Sequence, residues 1–224
     1  MMDATKGYDP TKPLLIDVPF KNFSLLEFIW KENTTDYFLF YHANRVEVLD
    51  YKLIFEINMK ESKMLEMDIL PTGFPGLITN KKVLSILQRV CPDDFQVFPI
   101  LIKSVPGKSK HKEFVNHDYF LIHIIKKISA IDFEASDFLL LDDSKPKVPN
   151  NILRIRKIRF KPNCMNSIHI ARDEDYEPLE YISQHLFHIL LSENIFGVEC
   201  MPDYFSSYER RNFPELFRDD GKVD

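Results

Sequence analysis

The chain has 224 residues, 45% of them hydrophobic and 28% charged, with a formal charge of −5. That composition excludes wholesale disorder and leaves room for a substantial core in one domain or two joined halves. Phenylalanine is frequent at 19 and glycine scarce at 6, which favours packed strands over a glycine-loop nucleotide enzyme, and the acidic balance speaks against a generally basic nucleic-acid binder.

Residues 1–12 are polar, with no apolar export core and no small-residue cleavage site. No run reaches the roughly 18 apolar residues that a membrane helix needs. Cys91, Cys164 and Cys200 are odd in number, widely spaced and without a CxxC pair, which argues against a disulfide framework or a zinc knuckle. The expectation is a reducing, cytoplasmic protein with free thiols, no cofactor and no membrane attachment.

Along the chain, the first third reads as strands. Tyr37 to Tyr41 is an aromatic run, Leu53 to Met59 alternates with Leu53, Phe55, Ile57 and Met59 on one face, and Met64 to Leu70 is a third candidate. Phe23 to Trp30 fits either a helix or a buried strand. Pro71, Gly73, Pro75 and Gly76 form the densest breaker cluster. A helix follows, with Thr79 as N-cap and Val83, Leu84, Ile86, Leu87 and Val90 on one face. Pro92 ends it.

Phe95 to Ile102 reads as a strand in which Pro99 suggests an edge or a bulge. It pairs antiparallel with Tyr119 to Ile128 across the polar loop 103–118. Ile131 to Leu141 is ambiguous, and 145–151 is a loop. Ile152 to Lys161 is a strand with an irregularity near Lys157. The acids before Pro178 suit a helix start, and Leu179, Ile182, Leu186, Ile189 and Leu190 give that helix its stripe. Gly197 breaks it, and Val198 to Met201 is a strand. Beyond Asp203 lies a charged tail that Tyr204, Phe205, Phe213 and Phe217 could dock. Pro99 and Pro202 stand 103 residues apart. The same offset sets Val83 on Leu186, Ile86 on Ile189, Leu87 on Leu190 and Phe95 on Val198, which suggests two αβ halves.

The candidate chemistry is sparse. His185 and His188 have a metal-compatible spacing but no third ligand, so no metal site is expected. Cys164 and His169 lack an orienting third group, and no catalytic residue is assigned. The acids Asp142, Asp143, Asp173, Glu174, Asp175 and Glu177 fit either capping and solvation or a basic partner. Arg154, Arg156, Lys157, Arg159 and Lys161 interleave with Leu153, Ile155, Ile158 and Phe160. That stripe fits either an anion-binding face or an edge strand protected by charge. No Walker loop, GxGxxG, GxSxG, HExxH or EF-hand pattern occurs.

From Asp68 onward the chain resembles the immunity proteins of bacterial polymorphic-toxin systems. The segment Asp68-Ile-Leu-Pro-Thr-Gly-Phe-Pro-Gly-Leu-Ile-Thr79 is similar to that family's D…GxPhhS-like helix opening, with threonine in place of the usual serine. Phe95-Gln-Val-Phe-Pro99 resembles its FFP strand. Tyr119 to Ile125 with Ile131 to Phe138, then Leu141 to Lys145 with Val148 to Arg154, resemble two further blocks, with a two-residue insertion at Pro146-Lys147. The resemblance covers about 68–202. It implies a non-enzymatic protein that binds and neutralises a cognate toxin. If that toxin is basic, the six acids, read as exposed, are the contact candidates by charge.

The sequence therefore leads to an α+β fold, mainly an antiparallel sheet with two helices in a duplicated αβ arrangement. A strand-rich part over 1–72, an immunity-like part over 73–202 and a tail over 203–224 form one unit. The alternative function is a nucleic-acid- or phosphate-binding module, or an enzyme, that uses the basic strand 152–161. A membrane partner is not expected, nucleic acid is disfavoured, and the oligomeric state is left open.

Overall fold

The computed structural model describes residues 11, 13–17, 27–28, 36–47, 49, 52–105, 112–148, 151–177, 179–197 and 199–201. The N-terminal half carries β1 (Pro13–Asp17), β2 (Glu27–Phe28), α1 (Asp36–Tyr41), β3 (Leu53–Ile57), α2 (Glu61–Met64), β4 (Ile69–Leu70), β5 (Leu77–Asn80), α3 (Lys81–Val90) and β6 (Phe95–Ser104). It is followed by β7 (Val115–Asn116), β8 (Tyr119–Ile124), β9 (Lys127–Ile128), β10 (Asp137–Leu140) and β11 (Ile152–Lys157). The last elements are β12 (Ile170–Asp173), β13 (Glu180–Ser183), α4 (Gln184–Ser192) and β14 (Glu199–Met201).

Among the described residues these strands make three sheets. One has the order β2-β3-β6-β8-β5-β4 with β7 beside β6, one has the order β14-β1-β13-β12-β9, and the third is the β10–β11 hairpin. Pairing is antiparallel except for β3 with β6 and β9 with β12. The fold is thus the mixed, mainly antiparallel α+β arrangement that the alternating patterns suggested.

The period-2 pleat splits β8 between two cores. Tyr119 and Leu121 join Phe40, Phe55, Phe98 and Ile100 on one face of the larger sheet, while Ile122 and Ile124 turn to the other face. There they meet Val83, Ile86 and Leu87 of α3 and Leu186 and Leu190 of α4, together with Leu14, Ile170 and Ile182 of the second sheet. The opposite face of that second sheet contributes Leu15, Ala171 and Tyr181 to a third core, closed by Phe138 and Ile155 of the hairpin. The hairpin therefore packs on the face of the second sheet away from α3 and α4.

The paths β4-β5-β8-β6 and β12-β13-β1-β14 have the same pairing order. Leu121 is paired with both Ile78 and Phe98, and Leu15 with both Tyr181 and Met201. Tyr181 and Met201 stand 103 residues beyond Ile78 and Phe98. The helix caps match as well. Asn80 accepts from the Val83 N–H and donates to Asp68 Oδ1 at 2.7 Å. Ser183 accepts from the Leu186 N–H and meets His169 Nδ1 at 3.0 Å. The Asn80 N–H donates to the Asp68 carbonyl and the Ser183 N–H to the His169 carbonyl.

Several expectations are corrected. Tyr37 to Tyr41 falls in helix α1, not a strand. Phe40 is buried while Phe38, Leu39 and Tyr41 are exposed, a one-in-four pattern set by Phe40 packing on Phe74, Phe98 and His123. Met64 to Leu70 is a helix end, a turn and the short β4. The N-cap of α3 is Asn80, one residue after Thr79. The second helix begins at Gln184, so Leu179 and Ile182 lie outside it and the acids before Pro178 are not its first turn. Ile189 is half-buried rather than buried.

Pro99 sits in an interior strand, not at an edge. Beyond its pair with Phe120 the register slips, so that three residues to Ile102 face four back to Asn116, as a bulge requires. The strand expected over Tyr119 to Ile128 is broken at Ile125 and Lys126, whose N–H groups both donate to the Asp94 carbonyl as the chain crosses between sheets. The tail beyond Asp203 and most of Phe23 to Trp30 lie outside the described residues.

Candidate functional site

The β10–β11 hairpin is pinned at its tip by one buried amide. Asn151 Nδ2 donates to the carbonyls of Asp142 at 2.9 Å and Pro146 at 3.0 Å, and Asn151 Oδ1 accepts from the Asp142 N–H. Lys147 donates back to the carbonyls of Glu134 and Ser136. These bonds tie Asp142, Pro146 and Lys147 to the strands on either side. Register shifts flank the Phe138↔Ile155 and Leu139↔Arg154 pairs, which accounts for the irregularity expected along this strand.

Inward, Phe138 and Ile155 are buried. Outward, Leu141 is 63% exposed, Leu153 60%, Val148 45% and Leu139 36%. Around them the charges are mixed. Arg156 stands 4.0 Å from Asp137, and Lys145 3.2 Å from Asp142. Hydrogen bonds from Ser144, then Lys145, hold the Asp142 carboxyl below the ordinary range. Asp143 is exposed. Lys161 donates to Ser129 Oγ at 2.7 Å, and the Arg159 N–H donates to Ser136 Oγ. The side chain of Arg154 lies outside the described residues. The structure thus sets Asp142 and Asp143 on the same hairpin as the basic strand.

The second group of acids divides. Asp173, expected to be exposed, is fully buried. It accepts from the N–H groups of Ala130, Asp175 and Tyr176 and from the Tyr181 hydroxyl. Burial pushes its carboxyl up against the pull of those donors. It closes the β12–β13 turn and offers nothing to a partner. Glu177 is bound by His42 at 2.7 Å and Lys127 at 3.3 Å. Asp175 accepts from Ser129 at 2.9 Å but stays exposed, as does Glu174.

Arg172 is the largest fully buried side chain among the described residues, a feature that sequence reading missed. Its Nε donates to Glu180 Oε1 at 3.1 Å, its Nη2 lies 2.9 Å from the same oxygen, and its Nη1 donates to the Phe40 carbonyl at 2.8 Å. The Gly76 N–H donates to that Oε1 too. His169 is engaged by Ser183 and lies beside His185, ring centroids 5.2 Å apart and tilted by 45°, while Cys164 packs at the edge of the third core. Burial, then Asp94, pushes the Cys91 thiol up to about 12, which keeps it protonated at neutral pH. Among the described residues no three His, Cys, Asp or Glu side chains converge as a metal site would require. No described helix is long and apolar enough to cross a membrane.

The hairpin thus carries exposed apolar side chains, Leu139, Leu141, Val148 and Leu153, with the Arg156–Asp137 and Lys145–Asp142 ion pairs beside them. A family model for the immunity protein family Imm11 matches residues 34–201. That is well over half of the chain, and the chain belongs to this family. The match begins earlier than the resemblance read from Asp68 and takes in α1, β3 and α2. No curated protein matches the chain.

Proposed function

We propose that this chain is a non-enzymatic, cytoplasmic immunity protein of a bacterial polymorphic-toxin system, which binds a cognate toxin and neutralises it. The observation that carries the reading is the family match over residues 34–201. Neutralisation by binding means covering the toxin's active site or locking an inactive form. Either needs a stable interface, ordinarily about 1,200–2,000 Å² in total.

Of the six acids considered as contacts, Asp142, Asp143, Glu174 and Asp175 remain for a basic patch on the toxin, since Asp173 is buried and Glu177 is engaged internally. Rim charges of this kind set encounter rate more than affinity. We also read the two αβ halves as a duplication, with β8 filling the middle place in one and β1 in the other. The shared offset and the Asp68–Asn80 and His169–Ser183 cap pairs support this. Because β1 pairs with β13 and β14, and β3 with β6, residues 13–201 are read as one unit.

The test is titration of the purified protein against the toxin domain encoded beside its gene. A one-to-one complex is expected by calorimetry and gel filtration. Absence of any complex would remove the reading.

A further inference from the structure

The outer face of the β10–β11 hairpin has no assigned role, and its composition is specific. Four large apolar side chains, Leu139, Leu141, Val148 and Leu153, are exposed within one hairpin. The Asn151 amide ties the described part of the loop to the strands, and such restraint lowers the ordering cost of binding. Between Asp137 and Lys161 the sequence has seven lysines and arginines against three aspartates, a local net of +4 in a chain of net −5. Arg156 and Lys145 are exposed, and each faces one of those aspartates. The charge is thus graded: mainly basic along β11, with Asp142 and Asp143 at the tip.

We propose that this face is where the toxin docks, and that the toxin meets it with an apolar patch flanked by carboxylates on the β11 side and a cationic group on the tip side. The inference rests on the immunity reading and names the surface for it. A protein partner fits better than a nucleic acid. The exposed apolar groups are aliphatic, while the aromatic side chains on this segment, Phe138 and Phe160, turn into the third core. Strand-binding proteins instead present aromatic platforms and a groove of one sign. Pairing of a toxin strand along the hairpin edge fits less well, because both register shifts break the ladder such a strand would need. The remaining contact mode is side-chain docking onto the face, with the leucines in the dry centre and the charges at the rim.

The experiment measures dissociation of the adjacent-gene toxin domain from immobilised full-length protein. Two double variants are compared with the natural chain: Leu141→Asp with Leu153→Asp on the hairpin, and Leu65→Asp with Leu191→Asp at exposed leucines elsewhere. The hairpin pair is expected to weaken binding by about 30-fold or more, chiefly in the off-rate, and the control pair by less than about threefold. Both variants are expected to keep the natural circular dichroism, since all four side chains are exposed. Hydrogen exchange on the unmodified complex is the second readout, with slowed exchange expected across 137–157.

If the natural chain binds and the hairpin pair binds equally, or exchange at 137–157 is unchanged in the complex, the docking face is refuted while the immunity reading stands. If the natural chain shows no complex, both fall. A labelled 20-nucleotide single strand whose binding is lost in Arg156→Glu would make the surface a nucleic-acid face and overturn the proposal. A homodimer abolished by Leu141→Asp would assign it to a second copy and overturn it equally.

Discussion

Arg172 and Glu180 face each other across the β12–β13 ladder as a buried ion pair, and the same guanidinium reaches the Phe40 carbonyl at the end of α1. One side chain thereby ties the helix that covers the larger sheet to the smaller sheet. Burial pushes the Glu180 carboxyl up and Arg172 pulls it back, so the acid's charge depends on its partner. Removing one member of such a pair leaves an uncompensated buried charge. Glu180→Ala is expected to cost about 3–5 kcal/mol, read as a lower urea midpoint. Glu180→Gln, which keeps an acceptor for Arg172 and the Gly76 N–H, is expected to cost less. Equal, small losses in both would show that the pair is not structural.

The two helices supply a second expectation. Leu87 and Leu190 are buried in the shared middle core, from α3 and α4 respectively. Leu87→Ala or Leu190→Ala is expected to destabilise the fold by about 2–5 kcal/mol as a cavity-forming deletion. Loss of less than about 1 kcal/mol in both by chemical denaturation would contradict this packing.

His123 gives stability a pH dependence. Its ring is fully buried, its Nε2–H donates to the Asn44 carbonyl at 2.8 Å, and it packs on Phe40. Burial holds its pKa down to about 4, with Arg172 adding in the same direction. The unfolded chain takes up the proton near pH 6.5 and the folded one does not. Stability is therefore full above pH 6.5 and is lost as pH falls toward 4, by about 2 kcal/mol between pH 7.5 and 5. His123→Gln is expected to remove about that much of the pH dependence relative to the natural chain; His169, lowered by burial, acts in the same direction, and Asp94, Asp173 and Glu180, raised by burial, act in the opposite one. An unchanged slope in the variant would contradict the assignment.

Gly197 carries φ of +106°, and a Cβ there would run into the Ile69 carbonyl. The neighbouring Phe196 backbone is bonded to Asp68 and Ile69. Gly197→Ala is expected to cost about 1–3 kcal/mol and to loosen this junction, seen as faster amide exchange at Ile69. An alanine variant with the natural melting temperature would show that the backbone relaxes freely.

Much of the fold was legible because burial follows period. The β3 alternation and the α3 stripe could be read directly, since each buries one face against one core. Residues 37–41 misled, because aromatic side chains suit a strand but a single buried Phe40 is satisfied by one helical turn. The acids at 173–177 misled for a related reason. A carboxylate beside a proline suits a helix start, yet here Asp173 collects the free N–H groups of a hairpin turn. The hairpin's charges were visible in sequence, but its outward leucines were not. Exposure of Leu141 and Leu153 depends on which face the bulged strands turn to the third core, and that is decided by long-range packing.

The central claim, protection by binding, is tested most directly by inducing the adjacent toxin gene in cells with and without this chain. The expected result is survival only when the chain is present, with the toxin recovered in complex with it. Equal killing in both cultures, with no complex between the purified pair, would contradict the account.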